Sequence, residues 1–416
     1  MSEPGALPRD AEARLGLRAN AAQFALLVVV NALVGGMVGQ ERTVLPLIAR
    51  ETFGLGGAAA ALTFVAAFGL AKAATNLAAG ALADRFGRKP VLVAGWLIGL
   101  PVPVLILAAP SWSWVIAANV LLGVNQGLTW STTVVMKVDL VGPARRGLAT
   151  GLNEAAGYGA VAVTALATGW IAAAAGLRPG PFLLGLAYAI LGLGLSVAYV
   201  GETRGHVALE QVARSDAPVR WREVFVRTTF REPSLSAASL AGFVNNLNDG
   251  MAWGLLPLFY AAAGLSVGEI GVLAAAYPAT WGVAQIGTGA LSDRVGRKPL
   301  IVAGMLIQGG AIAGIAVGTG FPAWLVAAIV LGLGTALVYP ALLAAIADVA
   351  APSWRASAIG VYRLWRDLGF AAGAVVAGVG ADLLGMPGAI GLVALLTALA
   401  GIAAAVRMRE PLAEGR

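Results

Sequence analysis

The sequence predicts an all-α membrane protein: twelve transmembrane helices arranged as two pseudo-symmetric six-helix halves. Three observations predict it. First, the 416 residues are 59% hydrophobic and only 12% charged, whereas a soluble domain carries roughly 25% charged residues. Too little polar surface exists to coat a globule in water. Second, apolar runs of the length a bilayer demands, roughly 20 residues, recur along the whole chain. Third, the stretch GALADRFGRKP at 80–90 returns as GALSDRVGRKP at 289–299, an offset of 293 − 84 = 209 residues. At the same offset Asp139 answers Asp348, Arg146 answers Arg355 and Gly151 answers Gly360. The 56 glycines suit close helix packing in lipid.

The first span, 20–48, follows a mixed-charge segment holding Arg9, Asp10, Glu12 and Arg14. No small-residue cleavage site follows it, so it reads as a retained helix. Span two, 57–82, runs into the first charged hairpin, and span three, 90–109, leaves it. Spans four to six fall at 112–138, 144–175 and 181–201. The only long polar stretch follows, from Glu202 to about Pro233. Within it Trp221, Val224, Phe225 and Phe230 alternate with arginines, as in a short helix lying on the membrane surface or in a linker. Spans seven to twelve fall at 234–262, 266–291, 299–318, 322–347, 355–383 and 387–407. The expected units are therefore an N-terminal half (1–201), a middle loop (202–233) and a C-terminal half (234–416). Of the 28 Lys and Arg, only Arg50 and Arg178 fall in loops on the side away from the hairpins. The positive-inside rule then puts the hairpins and both termini in the cytoplasm, with the chain in the inner membrane.

Composition also excludes chemistry. There is no Cys, and the single His206 lies in a polar loop, so no thiolate or histidine metal site, and no nucleophile–His pair, is expected. No phosphate loop ending in Lys-Ser/Thr is present. The expectation is a protein that is not an enzyme, with no cofactor, no metal and no nucleic-acid partner, working as a monomer in the lipid bilayer. The net charge of +7 belongs to loops on one side.

The duplicated hairpin resembles the signature loop of the major facilitator superfamily, and the resemblance covers the whole chain. It implies a central cavity between the halves, alternating access by rocking, and transport of a small-molecule solute. It further implies that Gly80, Asp84, Arg85, Gly87, Arg88 and Lys89 form a latch stabilising the outward-open state, with Gly289, Asp293, Arg294, Gly296, Arg297 and Lys298 as its second copy. On physical grounds Gly87 and Gly296 permit a turn, and Asp84 and Asp293 can face the positive end of a neighbouring helix. Two positions depart from the family pattern. Asn119 stands where helix 4 carries an Arg, and the helix 5 region Gly151–Gly159 lacks the Pro of many exporters. The roles tied to those residues are not carried over.

A charge at mid-bilayer is costly and marks a candidate site. Helix 1 carries Glu41 and Arg42, helix 2 Lys72, helix 5 Glu154, helix 7 Asp249, and helix 11 Arg363, Arg366 and Asp367. Spans three, six, nine and twelve carry none within their apolar runs. Glu154 and Arg363 occupy equivalent places (363 − 154 = 209). Glu154, Asp249 and Glu41 are the proton-coupling candidates; each is alternatively a structural ion pair or a packing residue. The resemblance implies that helix 2 packs beside helix 11, so Lys72 is expected to pair with Asp367 across the halves. Arg363 and Arg366, one turn apart, could clamp an anionic group or neutralise acids. The expected cavity also holds Asn125, Trp130, Asn245, Asn248, Trp253, Tyr277, Trp281, Tyr339 and Trp365. The aromatic content points to proton-coupled efflux of an amphipathic compound by antiport; the alternative is proton-coupled uptake or exchange of an organic anion.

Overall fold

The computed structural model describes residues 15–141, 146–206, 220–351 and 354–410. Arg9, Asp10, Glu12 and Arg14 of the expected leading segment lie outside the described residues. Helix α1 (Ala21–Arg42) resumes after a short break as Leu45–Glu51. Pro46 explains the break, because it lacks an N–H and its ring crowds the carbonyl four residues back. A single turn, Ala58–Ala61, leads into α2 (Thr63–Phe86). Then come α3 (Arg88–Leu107), α4 (Trp112–Val141), α5 (Arg146–Ala175) and α6 (Gly180–Ala198). The second half comprises α7 (Pro233–Ala262), α8 (Val267–Val295), α9 (Arg297–Val317) and α10 (Phe321–Val349). A helical run from Arg355 to Arg407 breaks at Gly385, where φ is +76°. That break separates α11 (355–384) from α12 (386–407). A surface helix, Trp221–Val226, and a wide turn, Arg227–Arg231, precede α7.

Twelve spans thus stand where hydropathy put them, with hairpin ends a few residues longer. Helices α4, α7 and α8, of 30, 30 and 29 residues, are long enough to span but less apolar than the other runs. Their polar residues explain the shortfall, and several of them build the interior described below. Conversely, α3, α6, α9 and α12 expose Leu97, Ile190, Leu191, Leu306, Leu395 and Ile402, as lipid-facing helices must.

Within each half, backbones touch through glycine: a Cβ at Gly35 would meet the Gly157 carbonyl oxygen at 2.1 Å, and one at Gly373 the Leu247 oxygen at 2.2 Å. Between halves, α2 packs on α11 and α5 on α8. Among the described residues, the close approaches between the halves lie at the end away from the hairpins and in the middle. A Cβ on Gly169 would lie 2.7 Å from the Gly271 Cα, and one on Gly378 2.7 Å from the Ala59 Cα. Asp382 accepts from the backbone N–H groups of Ala58 (2.7 Å) and Ala59 (3.1 Å). Towards the hairpins, Gly80, Gly151, Gly287 and Gly360 face open space. The halves therefore meet at one end and part at the other.

Candidate functional site: a charged cavity between the halves

Near mid-depth, where the halves begin to part, α2, α4, α5, α10 and α11 enclose a cavity. From the first half come Lys72, Asn76, Trp130, Ser131, Glu154 and Tyr158; from the second come Tyr339, Arg363, Arg366 and Asp367. Helical spacing gathers them: Lys72 and Asn76, Glu154 and Tyr158, and Arg363 and Asp367 are each one turn apart.

Lys72 Nζ lies 3.6 Å from Asp367 Oδ1, the cross-half pair expected from the sequence, and is ringed by Phe68, Trp130 and Phe370 at 5.0–5.7 Å. Asn76 donates to the other oxygen of Asp367 and accepts from Ser131 Oγ at 2.5 Å. Across the cavity Trp130 Nε1 and Asn153 Nδ2 donate to Glu154 Oε1 at 2.8 and 3.2 Å. Glu154 Oε2 is buried with no hydrogen-bond partner. Arg366 donates to the Tyr158 hydroxyl at 2.9 Å and lies 4.3 Å above the Tyr339 ring. Neither Arg366 nor half-buried Arg363 forms an ion pair among the described residues. With Lys72 and Asp367 cancelling, the cavity keeps one carboxylate on the first half and two guanidinium groups on the second.

Other expected residues lie elsewhere. Asp249 is joined to Arg42 by two hydrogen bonds of 2.7 and 2.8 Å, with Trp253 beneath the guanidinium at 5.4 Å. This pair seals the closed end, where Tyr277 and Trp253 line a separate small cavity. Trp281, wholly buried, packs at a tilt against Tyr158 of the charged cavity (3.6 Å) and stacks on Tyr277 of the other space (6.0 Å). Glu41 is buried beside Asn119. Asn245 is buried and lines neither space. Three more of the residues expected in the cavity are bonded elsewhere. Asn125 donates to the Gly95 carbonyl on α3. Asn248 bonds Gln308 on α9 and Thr397 on α12. Trp365 donates to Thr229 in the turn before α7. Each turns away from the cavity because helix phase, not helix membership, decides what a side chain meets.

The two hairpins share one construction. Arg88 bonds Asp84 (2.9 Å) and Asp139 (3.3 Å); Arg297 bonds Asp293 (2.6 Å) and Asp348 (3.1 Å). The carboxylates at the helix N-termini are not Asp84 and Asp293, as expected, but Glu202 and Glu410. Glu202 accepts from the N–H groups of Arg88 and Lys89 at 3.1 and 3.0 Å, Glu410 from those of Arg297 and Lys298 at 3.1 and 2.9 Å. Sequence reasoning missed this pair, although its spacing (410 − 202 = 208) nearly repeats the offset. Asp84 and Asp293 are solvent-exposed, and a Cβ at Gly80 would meet nothing within 4 Å. Arg85 and Arg294 are exposed, and a Cβ at Gly289 would meet Pro340 of its own half at 3.9 Å. Tyr158 was likewise missed; its position one turn beyond Glu154 was the available signal.

The family model described as Major Facilitator Superfamily matches residues 24–244 and, again, 238–416. Among solved structures, the chain resembles one titled as a POT family transporter in complex with 5-aminolevulinic acid. The TM-score is 0.74 at 12% identity, covering 91% of this chain and 94% of that one. A second, titled as a POT family transporter in complex with a thioalcohol-conjugated peptide, gives a TM-score of 0.73 at 13% identity, with the same coverages. At such identities the likeness is one of fold.

Proposed function

The chain belongs to the Major Facilitator Superfamily, and from that premise we propose that it carries a small organic anion together with protons by alternating access, with both termini and the hairpins cytoplasmic. It is a transporter and not an enzyme. The observation that carries the anion reading is the pair of guanidinium groups, Arg363 and Arg366, facing the cavity with no carboxylate bound to either. Unpaired cations at that depth are costly, and a solute carboxylate or phosphate would satisfy both in fork geometry.

Solute charge and the sign of coupling are linked. An ionised Glu154 competes with an anion for the arginines; a proton on Glu154 removes the competition. Proton and anion then favour each other's binding, which is what symport needs. A cationic amphipath would instead compete with the proton, which is what antiport needs. Two cations against one carboxylate favour symport. The aromatic residues first read as an amphipathic pocket lend less support to efflux, because Trp253, Tyr277 and Trp281 are packed and Trp365 is turned away. Solutes named for the neighbouring folds include an amino acid and a peptide conjugate, both able to present a carboxylate.

The test is reconstitution in proteoliposomes with an imposed pH gradient and a panel of radiolabelled mono- and dicarboxylates, organophosphates and amino acids. Acid outside should drive accumulation of one anion class. Arg363→Gln and Arg366→Gln should each lower it at least about tenfold, the loss of one charge-assisted bond. Glu154→Gln should abolish gradient-driven accumulation yet retain anion exchange. Full accumulation in Glu154→Gln, or transport confined to cations, would overturn the reading.

A further inference from the structure

The segment just before α7 lies outside the transport cavity. Its helix, Trp221–Val226, and the wide turn Arg227–Arg231 dock one face on the protein. Val224 and Thr228 are buried, Phe225 packs near Trp365 (6.4 Å), and Trp365 Nε1 donates to Thr229 Oγ1 at 3.0 Å. The opposite face is open. Trp221 is 51% and Phe230 64% exposed, and Arg220, Arg222, Arg227 and Arg231 are exposed around them. Of the acids in this stretch, Glu223 reaches Arg227 at only 3.8 Å, and Glu232 caps α7 by accepting from the Leu235 N–H. Four arginines against one available carboxylate leave a net positive face.

Position decides the partner. α7 begins at Pro233, two residues beyond the turn, so the segment is tethered at the depth where the span enters lipid. An exposed aromatic pair flanked by arginines at that depth matches an anionic leaflet: rings seat at the headgroup level, and guanidinium groups meet phosphate. The docked face leads inward. Trp365 immediately precedes Arg366, and α11 carries Arg363, Arg366 and Asp367 into the cavity.

We propose that residues 220–231 form a binding site for anionic phospholipid, and that lipid held there biases the opening of the cavity through the Thr229–Trp365 contact with α11. The ligand is a phospholipid with a net negative headgroup; a free phosphate would lack the acyl chains that Trp221 and Phe230 require.

The full chain in nanodiscs of phosphatidylcholine, with or without about a third phosphatidylglycerol, tests both parts. Brominated acyl chains quench neighbouring indoles, and the difference between wild type and Trp221→Phe isolates Trp221. Brominated phosphatidylglycerol should quench Trp221 at least about twofold more than brominated phosphatidylcholine at equal mole fraction, since each nearby arginine raises the local share of anionic lipid. The excess should vanish in Arg222→Gln/Arg231→Gln, whose substitutions are on the surface and spare the fold. Soluble inorganic phosphate should not abolish it. Equal quenching by the two lipids, or no difference on removing Trp221, would overturn the site. For the coupling, spin labels at Leu77→Cys and Ser357→Cys report the opening between α2 and α11; the chain has no other cysteine. Phosphatidylglycerol should shift that distance distribution in the parent and not in Thr229→Val. An identical distribution in both lipids would overturn the coupling.

Discussion

Arg42 and Asp249 are 4% and 1% exposed and joined through the two terminal guanidinium nitrogens. Removing one partner strands a charge where water cannot reach it, so Arg42→Ala or Asp249→Ala should cost about 3–5 kcal/mol. Replacing both by Met and Leu should recover most of the loss, as thermal unfolding of the purified protein would show. Lys72 and Asp367 invite a different measurement. At 3.6 Å, with Asn76 as a second partner for the carboxylate, the pair should show a coupling energy of about 0.5–3 kcal/mol in a double-mutant cycle read on transport. Additive losses would mean that the two side chains act apart. At this scale the sequence told much about charge and little about amides. Apart from Glu41, the intramembrane charges met a partner or a cavity, and burial cost alone marked them. Asn125 and Asn248 cost less to bury and were satisfied by a carbonyl or an amide inside their own half, so their presence on a lining helix said nothing about which way they faced.

The hairpins are the clearest elements. Gly87 and Gly296 have φ of +97° and +106°, and a Cβ on either would strike Glu202 or Glu410 at 2.7–2.8 Å. Two penalties coincide, backbone strain and a displaced helix-capping carboxylate. Gly87→Ala and Gly296→Ala should therefore destabilise by more than about 1 kcal/mol, while Glu202→Gln should lose about 0.3–1 kcal/mol by weakening one helix-end charge. Thermal stability of the three variants in one detergent would check the order. The turn itself was legible, since Gly-Arg-Lys-Pro after Asp-Arg announces a helix end and a new start. Its partner was not, because Glu202 comes from the end of α6, more than a hundred residues on in sequence. Short-range pattern finds turns; only chain folding tells what fills them.

At the scale of the whole molecule, the closed end rests on bare backbone. Gly169 meets Gly271, and Gly378 meets Ala59, where no side chain fits. Gly169→Val or Gly378→Leu should wedge the halves apart there and favour the conformer open on that side. A cysteine placed at Leu62, buried in this arrangement against Gly254, should then react with a membrane-impermeant maleimide several-fold faster than in the otherwise unaltered chain; unchanged labelling would mean that these glycines do not set the balance. Twelve spans and two halves were foreseeable because lipid imposes length and apolarity on every span and duplication imposes symmetry, whereas the pairing of α2 with α11 was implied only by the family resemblance. The state of the halves was not, because a rocking fold has two arrangements with one sequence.

Glu154 and Arg363 occupy twin positions of the duplicated plan, yet one is acidic and the other basic, and both reach the same cavity. A passenger with a distinct head and tail would therefore meet unlike walls, which favours one pose over its reverse. The duplicated plan is thus a broken mirror at its centre: the fold repeats, and the charge it offers a passenger does not.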